Sequence, residues 1–224
     1  MNQIKICGTI LVDWSMKIVK EKLMNHKLVV PTILIAGIAL LGSIIVLGNK
    51  SALHKDTLTF KEEYEKYNGE KVSNGKKYLE VNIALKNKVE IVEETEILNI
   101  MDHKTGIVYF GFPTCPWCRN VVEPLIKLAN QENVTLYYIN PKVMRDAQNK
   151  TYLSLVKKLD SYLDTGENGN KVLYVPDIYF IKDGKIMAHH LGTVDSQKDP
   201  YQKMNEKQAK EFESIILKNI QKIK

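Results

Sequence analysis

Arginine is nearly missing from this chain: among 32 Lys and Arg side chains, only Arg119 and Arg145 are arginine. The formal charge of +6 would otherwise invite a nucleic-acid partner. Such a surface needs basic runs interleaved with aromatic residues, and the sequence has none. Lys and Glu are interspersed instead, the pattern of a solvated face. No nucleic-acid partner is expected. Cysteine is equally scarce, with Cys7, Cys115 and Cys118 the only three in 224 residues. A small disulfide-stapled scaffold is thereby excluded, and the fold must rest on a hydrophobic core. A zinc site needs about four ligands, yet there is no second C-x-x-C. The nearest candidates are His103, His189 and His190, and neighbouring side chains on a strand point to opposite faces. No metal is expected.

Charge is absent from one long stretch, residues 28–48, "LVVPTILIAGIALLGSIIVLG". As a helix it reaches ~30 Å, the thickness of a bilayer's hydrocarbon core. Pro31 lies near one end, where a missing N–H costs least. No A-x-A site and no L-x-x-C follows, so an uncleaved anchor is expected rather than a signal peptide. Lys17, Lys20, Lys22 and Lys27 flank it on one side, against Lys50, Lys55 and Lys61 on the other. That excess favours an N-terminus inside and the large C-terminal domain outside the cell. The expected division is a cytoplasmic tail (1–27), a transmembrane helix (28–48), a juxtamembrane spacer (49–78) and an α/β domain (79–224). In the tail, Ile10, Leu11, Trp14, Ile18 and Val19 could form an interfacial helix, and Cys7 would be a reduced thiol without a partner.

Beyond residue 78 the pattern becomes regular. "YLEVNIAL" alternates as a short strand, "VEIV" (89–92) is a second, and 94–103 a helix. "GIVYFGF" (106–112) is apolar throughout, as a strand buried on both sides would be. A helix follows from about 115 to 130, kinked at Pro124, then a strand at 134–140 and a long helix at 144–163. "DTGENGN" is a loop. "DIYFI" and "KIMAHHL" are strands joined at Asp183-Gly184, a strong hairpin signal, and a helix at 205–222 closes the chain. Strands separated by helices pair in parallel, whereas the final two form an antiparallel hairpin. The expectation is an α/β fold: a mixed sheet with helices on both faces.

Cys115 and Cys118 stand three apart where the buried strand becomes a helix. A redox pair, half a metal site and two packing cysteines would all fit the bare spacing. The chemistry favours the first. Thiolate attacks a disulfide, and a thiol's ordinary pKa is about 8.5. A helix N-terminus offers unpaired N–H groups and about half a positive charge. Pro116 suits the first helical position, with Thr114 or Cys115 as cap. Cys118 then lies on the same helical face, one turn deeper. Trp117 would cover the site, and Arg119 would add positive potential.

"YFGFPTCPWC", with "YVPDIYFIKDGKI" some sixty residues later, resembles the thioredoxin superfamily over roughly 82–224. With the anchor and lead-in, the chain looks like the membrane-anchored Gram-positive thioredoxin-like proteins of the bacteriocin transport accessory type. The resemblance implies a nucleophile at Cys115, a resolving thiol at Cys118, a cis-proline at Pro176, and Val175 presenting its backbone to a bound peptide. It also implies a redox-active Cys115–Cys118 disulfide as the only cofactor. Thioredoxins carry a buried Asp six residues before the first cysteine, where this chain has Tyr109. Their partner lysine on the strand after the motif helix is missing too. Two functions follow. One is a thiol–disulfide oxidoreductase for exported proteins or peptides, fed by a membrane redox partner where it acts as a reductant. The other is a non-catalytic accessory domain that binds an exporter or its cargo.

Overall fold

The apolar run at 106–110 forms the middle of a sheet, and its neighbours explain why it carries no polar side chain. A computed structural model describes residues 55–224. The expected tail, Cys7 and the 28–48 segment lie outside the described residues. In chain order the elements are α1 (55–65), β1 (Val89–Ile91), α2 (Ile97–His103), β2 (Gly106–Phe110), α3 (Pro116–Gln131) and β3 (Leu136–Ile139). Then come α4 (Lys142–Asp146), α5 (Lys150–Leu159), β4 (Asp164–Thr165), β5 (Lys171–Val172), β6 (Asp177–Lys182), β7 (Lys185–Leu191) and α6 (Glu206–Gln221). Among the described residues, no helix is long and apolar enough to cross a membrane.

Five strands pair in the order β1-β3-β2-β6-β7. β1, β3 and β2 are parallel, while β6 runs antiparallel to β2 and β7 antiparallel to β6. This is the mixed, helix-flanked α/β sheet that the sequence implies. Period-two alternation sorts its side chains. Ile107, Tyr109, Leu136, Tyr138, Ile178 and Phe180 face a core closed by α1, α3 and α6. Val108, Phe110, Tyr137, Ile139, Tyr179 and Ile181 face the opposite core under α2 and α5. The β6–β7 turn needs its glycine: Gly184 has φ +74°, and a Cβ there would lie 1.8 Å from the Asp102 carbonyl oxygen at the end of α2.

Several expectations are corrected. Residues 55–78 are no spacer: Phe60 and Tyr64 of α1 are fully buried in the first core, so this lead-in belongs to the same compact unit. "YLEVNIAL" joins no strand, because side chains take the bonds a ladder would make. Asn68 bonds both the N–H and the C=O of Val81, at 2.9 and 2.8 Å. Glu65 accepts from Ile83 N–H at 2.7 Å, and Glu123 from Asn82 N–H at 2.8 Å. The 144–163 helix is interrupted: Gln148 takes φ +48°, and Asn149 caps a fresh helix through the Tyr152 N–H. "DTGENGN" contributes to the small β4–β5 hairpin. Helix α3 continues through Pro124, its flanks Val121, Val122, Leu125 and Ile126 all buried.

Candidate active site

Strand β2 ends at Phe110, and a tight turn, with Cys115 N–H on the Phe112 carbonyl at 3.1 Å, swings the chain into α3. Cys115 takes the N-cap, not Thr114. Its backbone is extended (φ −85°, ψ 115°), Pro116 starts the helix, and its sulfur accepts from Cys118 N–H at 3.3 Å. The sulfur thus performs the duty that a Ser or Asp oxygen performs at other helix starts. Its other neighbour is the Val175 carbonyl oxygen, 3.7 Å from Sγ. The Val175–Pro176 peptide bond is cis, and the Pro176 carbonyl accepts from Gly192 N–H at 2.8 Å. Trp117, Val175 and Pro176 line one groove of about 390 Å³, with Tyr174 and the 191–195 loop. Thr114 lies on the other side of the motif, in a cavity of about 530 Å³ with Glu63, Phe112 and Tyr138.

The two thiols are electrostatically unequal. Hydrogen bonding from the Cys118 thiol holds the Cys115 pKa below the usual range, and burial opposes it; the Cys118 and Trp117 N–H groups and the Arg145 charge act in the same lowering direction. Cys118 is completely buried. Burial, then its bond and charge interaction with Cys115, pushes its pKa well up; the Phe112 backbone and the Tyr109 hydroxyl pull it down. An acidic outer sulfur over a reluctant inner one suits a nucleophile and its resolving partner.

Of the residues expected to shape the site, Arg119 points elsewhere. It is 2% exposed, and its guanidinium bonds the carbonyls of Leu79 (2.7 Å), Tyr64 (2.9 Å) and Pro113 (3.0 Å) and the Asn68 amide oxygen (2.5 Å). Its charge is spent on holding the lead-in. The cation that acts on Cys115 is Arg145 of α4, stacked over the Phe112 ring at 5.8 Å. Sequence reasoning missed it, and only the rarity of arginine singles it out. Asp177, next to Pro176, was missed too. Burial raises its carboxyl, which pairs with His189 Nε2 at 2.5 Å and accepts from the Tyr179 hydroxyl at 2.9 Å. His190 Nε2 sits 2.8 Å from the Thr193 carbonyl, so the adjacent histidines have separate partners.

Fold and site together define a class: a mixed α/β domain whose C-x-x-C caps a helix and faces a cis-proline before the final hairpin. The thioredoxin resemblance rests on the C-x-x-C after a buried strand and the proline before the final hairpin, and the cis bond at that proline is what it implied. Among the solved structures similar to this chain are two from Arabidopsis thaliana, both in the oxidised state. Thioredoxin O2 is 19% identical, with a TM-score of 0.35 over 49% of this chain and 86% of that one. Thioredoxin O1 is 22% identical, with a TM-score of 0.34 over 48% and 88% respectively. No protein-family model and no curated protein matches.

Proposed function

We propose that this chain is a thiol–disulfide oxidoreductase, with Cys115 as nucleophile and Cys118 as resolving thiol. One observation carries the reading: an N-cap sulfur with a lowered pKa, 3.7 Å from the Val175 carbonyl beside a cis-proline. An extended substrate laid along Trp117, Val175 and Pro176 would present its disulfide to that sulfur. Cys115 thiolate attacks, forming a mixed disulfide and expelling one substrate thiolate, which takes up a proton. Cys118 then attacks the Cys115 sulfur, closing the protein disulfide and expelling the second thiolate. The substrate gains two electrons and two protons; run backwards, the same steps oxidise a dithiol. With the anchor at 28–48 and the N-terminus inside, the substrates are exported proteins or peptides. The narrower accessory-type assignment belongs to this proposal, resting on the anchor and lead-in.

Cys118→Ala is expected to accumulate covalent complexes with exported proteins, released by dithiothreitol, and Cys115→Ser to accumulate none. No trapped species, together with full function of the double variant, would move the chain to the non-catalytic accessory reading. A glutathione redox titration assigns the direction, ~30 mV corresponding to about 1.4 kcal/mol.

A further inference from the structure

The groove beside the motif holds one atom whose bonding is incomplete. Gln197 lines it together with Trp117, Val175 and Pro176, and is itself only 7% exposed. Its Nε2 donates to the Gln202 carbonyl at 3.0 Å, and its backbone N–H to the Val194 carbonyl at 3.0 Å. Its Oε1 is buried and meets no donor among the described residues. Turning the amide over brings no relief. A carbonyl oxygen only accepts, so exchanging Nε2 and Oε1 would set two acceptors face to face at Gln202. The unpaired atom is therefore an acceptor, held in a fixed place. Leaving a buried acceptor unpaired costs about 1–3 kcal/mol, and native folds keep few of them.

The rest of the groove selects the donor. Tyr174, Leu191 and Val194 join Trp117 and Pro176 in walls that are largely apolar. Asp195 is exposed and is the one charged residue along them. Among the described residues, no lysine or arginine lines the groove. An anion, an unpaired acceptor and apolar walls suit a side chain with an apolar stem and a cationic, donor-rich tip, as Lys and Arg have. Burial adds a requirement of length. An acceptor below the surface is met by a tip that seats deep in the groove, not by a main chain lying across its mouth.

Resting on the oxidoreductase reading, we propose that Gln197 is a specificity-determining residue of this groove: its Oε1 accepts from a Lys or Arg side chain that flanks the substrate's exchanging cysteine, and Asp195 supplies the opposite charge. The preferred substrates are then extended peptides with a basic residue beside that cysteine. Gln197 moves no electrons and no protons. It ranks substrates by holding them while Cys115 attacks, through a hydrogen bond that the cationic donor strengthens.

The test uses the full-length chain carrying Cys7→Ser and two symmetrical peptide disulfides, identical except for arginine or norleucine on both sides of the cysteine. The readout is the ratio of their second-order rates of reduction. Arginine beside a cysteine alters the reactivity of its disulfide toward any thiolate, and comparing the ratio between variants cancels that effect. Gln197→Met keeps the length and removes the acceptor, and is expected to lower the arginine-to-norleucine ratio about tenfold, the equivalent of about 1.4 kcal/mol. Gln197→Lys keeps a donor for the Gln202 carbonyl and puts a cation where the acceptor stood, which should lower the ratio further. An equal loss on both peptides, leaving the ratio at its wild-type value, overturns the proposal, since the donor would then belong to the main chain they share; disulfide exchange would stand. Should Gln197→Met not fold, Gln197→Lys decides by the same rule. If wild type reduces neither peptide, the exchange reading falls instead. The acceptor is then judged by titration calorimetry with the same peptides carrying serine for cysteine: an affinity ratio lowered by Gln197→Met upholds it, and an unmoved one overturns it.

Discussion

Arg145 and Arg119 show that a residue's charge counts only where its side chain is aimed. Arg145 is 25% exposed, with its Nε 3.5 Å from Asp146, yet its field reaches Cys115. A partly solvated charge acts weakly and through water. Arg145→Ala is therefore expected to raise the pH midpoint for Cys115 alkylation and to slow the reaction at pH 7 about twofold. The sign is fixed: removing a cation leaves the thiolate less stabilised, so a higher pH is needed to form it. Measuring iodoacetamide rates at low salt and at 1 M salt checks the cause, since screening should erase the difference between wild type and variant. A difference that survives high salt would mean that Arg145 positions the Phe112 turn instead. The sequence displayed both arginines with equal prominence, and spacing favoured the wrong one: Arg119 lies four residues after Cys115, on the same helical face, but a long side chain chooses its direction from partners that sequence does not place.

Those partners belong to the lead-in. The guanidinium of Arg119 gathers Tyr64 at the end of α1, Asn68 in the following turn, Leu79 in the extended segment and Pro113 before the motif. Arg119→Met keeps the length of the side chain but strands these buried acceptors, each worth about 1–3 kcal/mol when left unpaired. A loss of roughly 3 kcal/mol is expected, or a fall of roughly 6–12 °C in Tm for a domain of this size, read by thermal unfolding. The alkylation midpoint of Cys115 should stay put, which separates bracing from charge. Elements whose bonds run backbone to backbone were legible in advance: β2 follows from its unbroken apolar run, β6 and β7 from the D-G turn between them, and a helix start at Thr114 or Cys115 from Pro116. Residues 79–83 read as a strand by alternation, but their N–H and C=O groups are met by Asn68, Glu65 and Glu123, and no periodicity encodes that. The break at Gln148 was equally hidden, being a left-handed turn built without glycine.

At the scale of the whole molecule, the lead-in decides where the domain begins. Sequence composition sets the boundary at residue 79, because an acidic, lysine-rich run with N-G turns resembles a tether. Two aromatic residues in that run contradict it. Phe60 packs edge-on against Tyr138 at 4.6 Å between ring centroids, and Tyr64 lies 4.8 Å from Phe60. Burying such a side chain contributes about 1.5–3 kcal/mol. Both are lost if the chain starts at 79, along with the Tyr64 and Asn68 acceptors of Arg119 and the hydrogen bond between the Tyr64 and Tyr109 hydroxyls. The sum is a large part of the roughly 5–15 kcal/mol that holds an ordinary domain together. A chain starting at residue 52, where the compact unit begins, is expected to unfold cooperatively. One starting at 79 is expected to bind 8-anilinonaphthalene-1-sulfonate and to show no sharp thermal transition, its Tyr109–Tyr138 face laid open. Equal melting temperatures for the two would return 55–78 to the status of a tether. They would also mean that the core can lose α1, and the Tyr64 hydroxyl 3.0 Å from that of Tyr109, without cost.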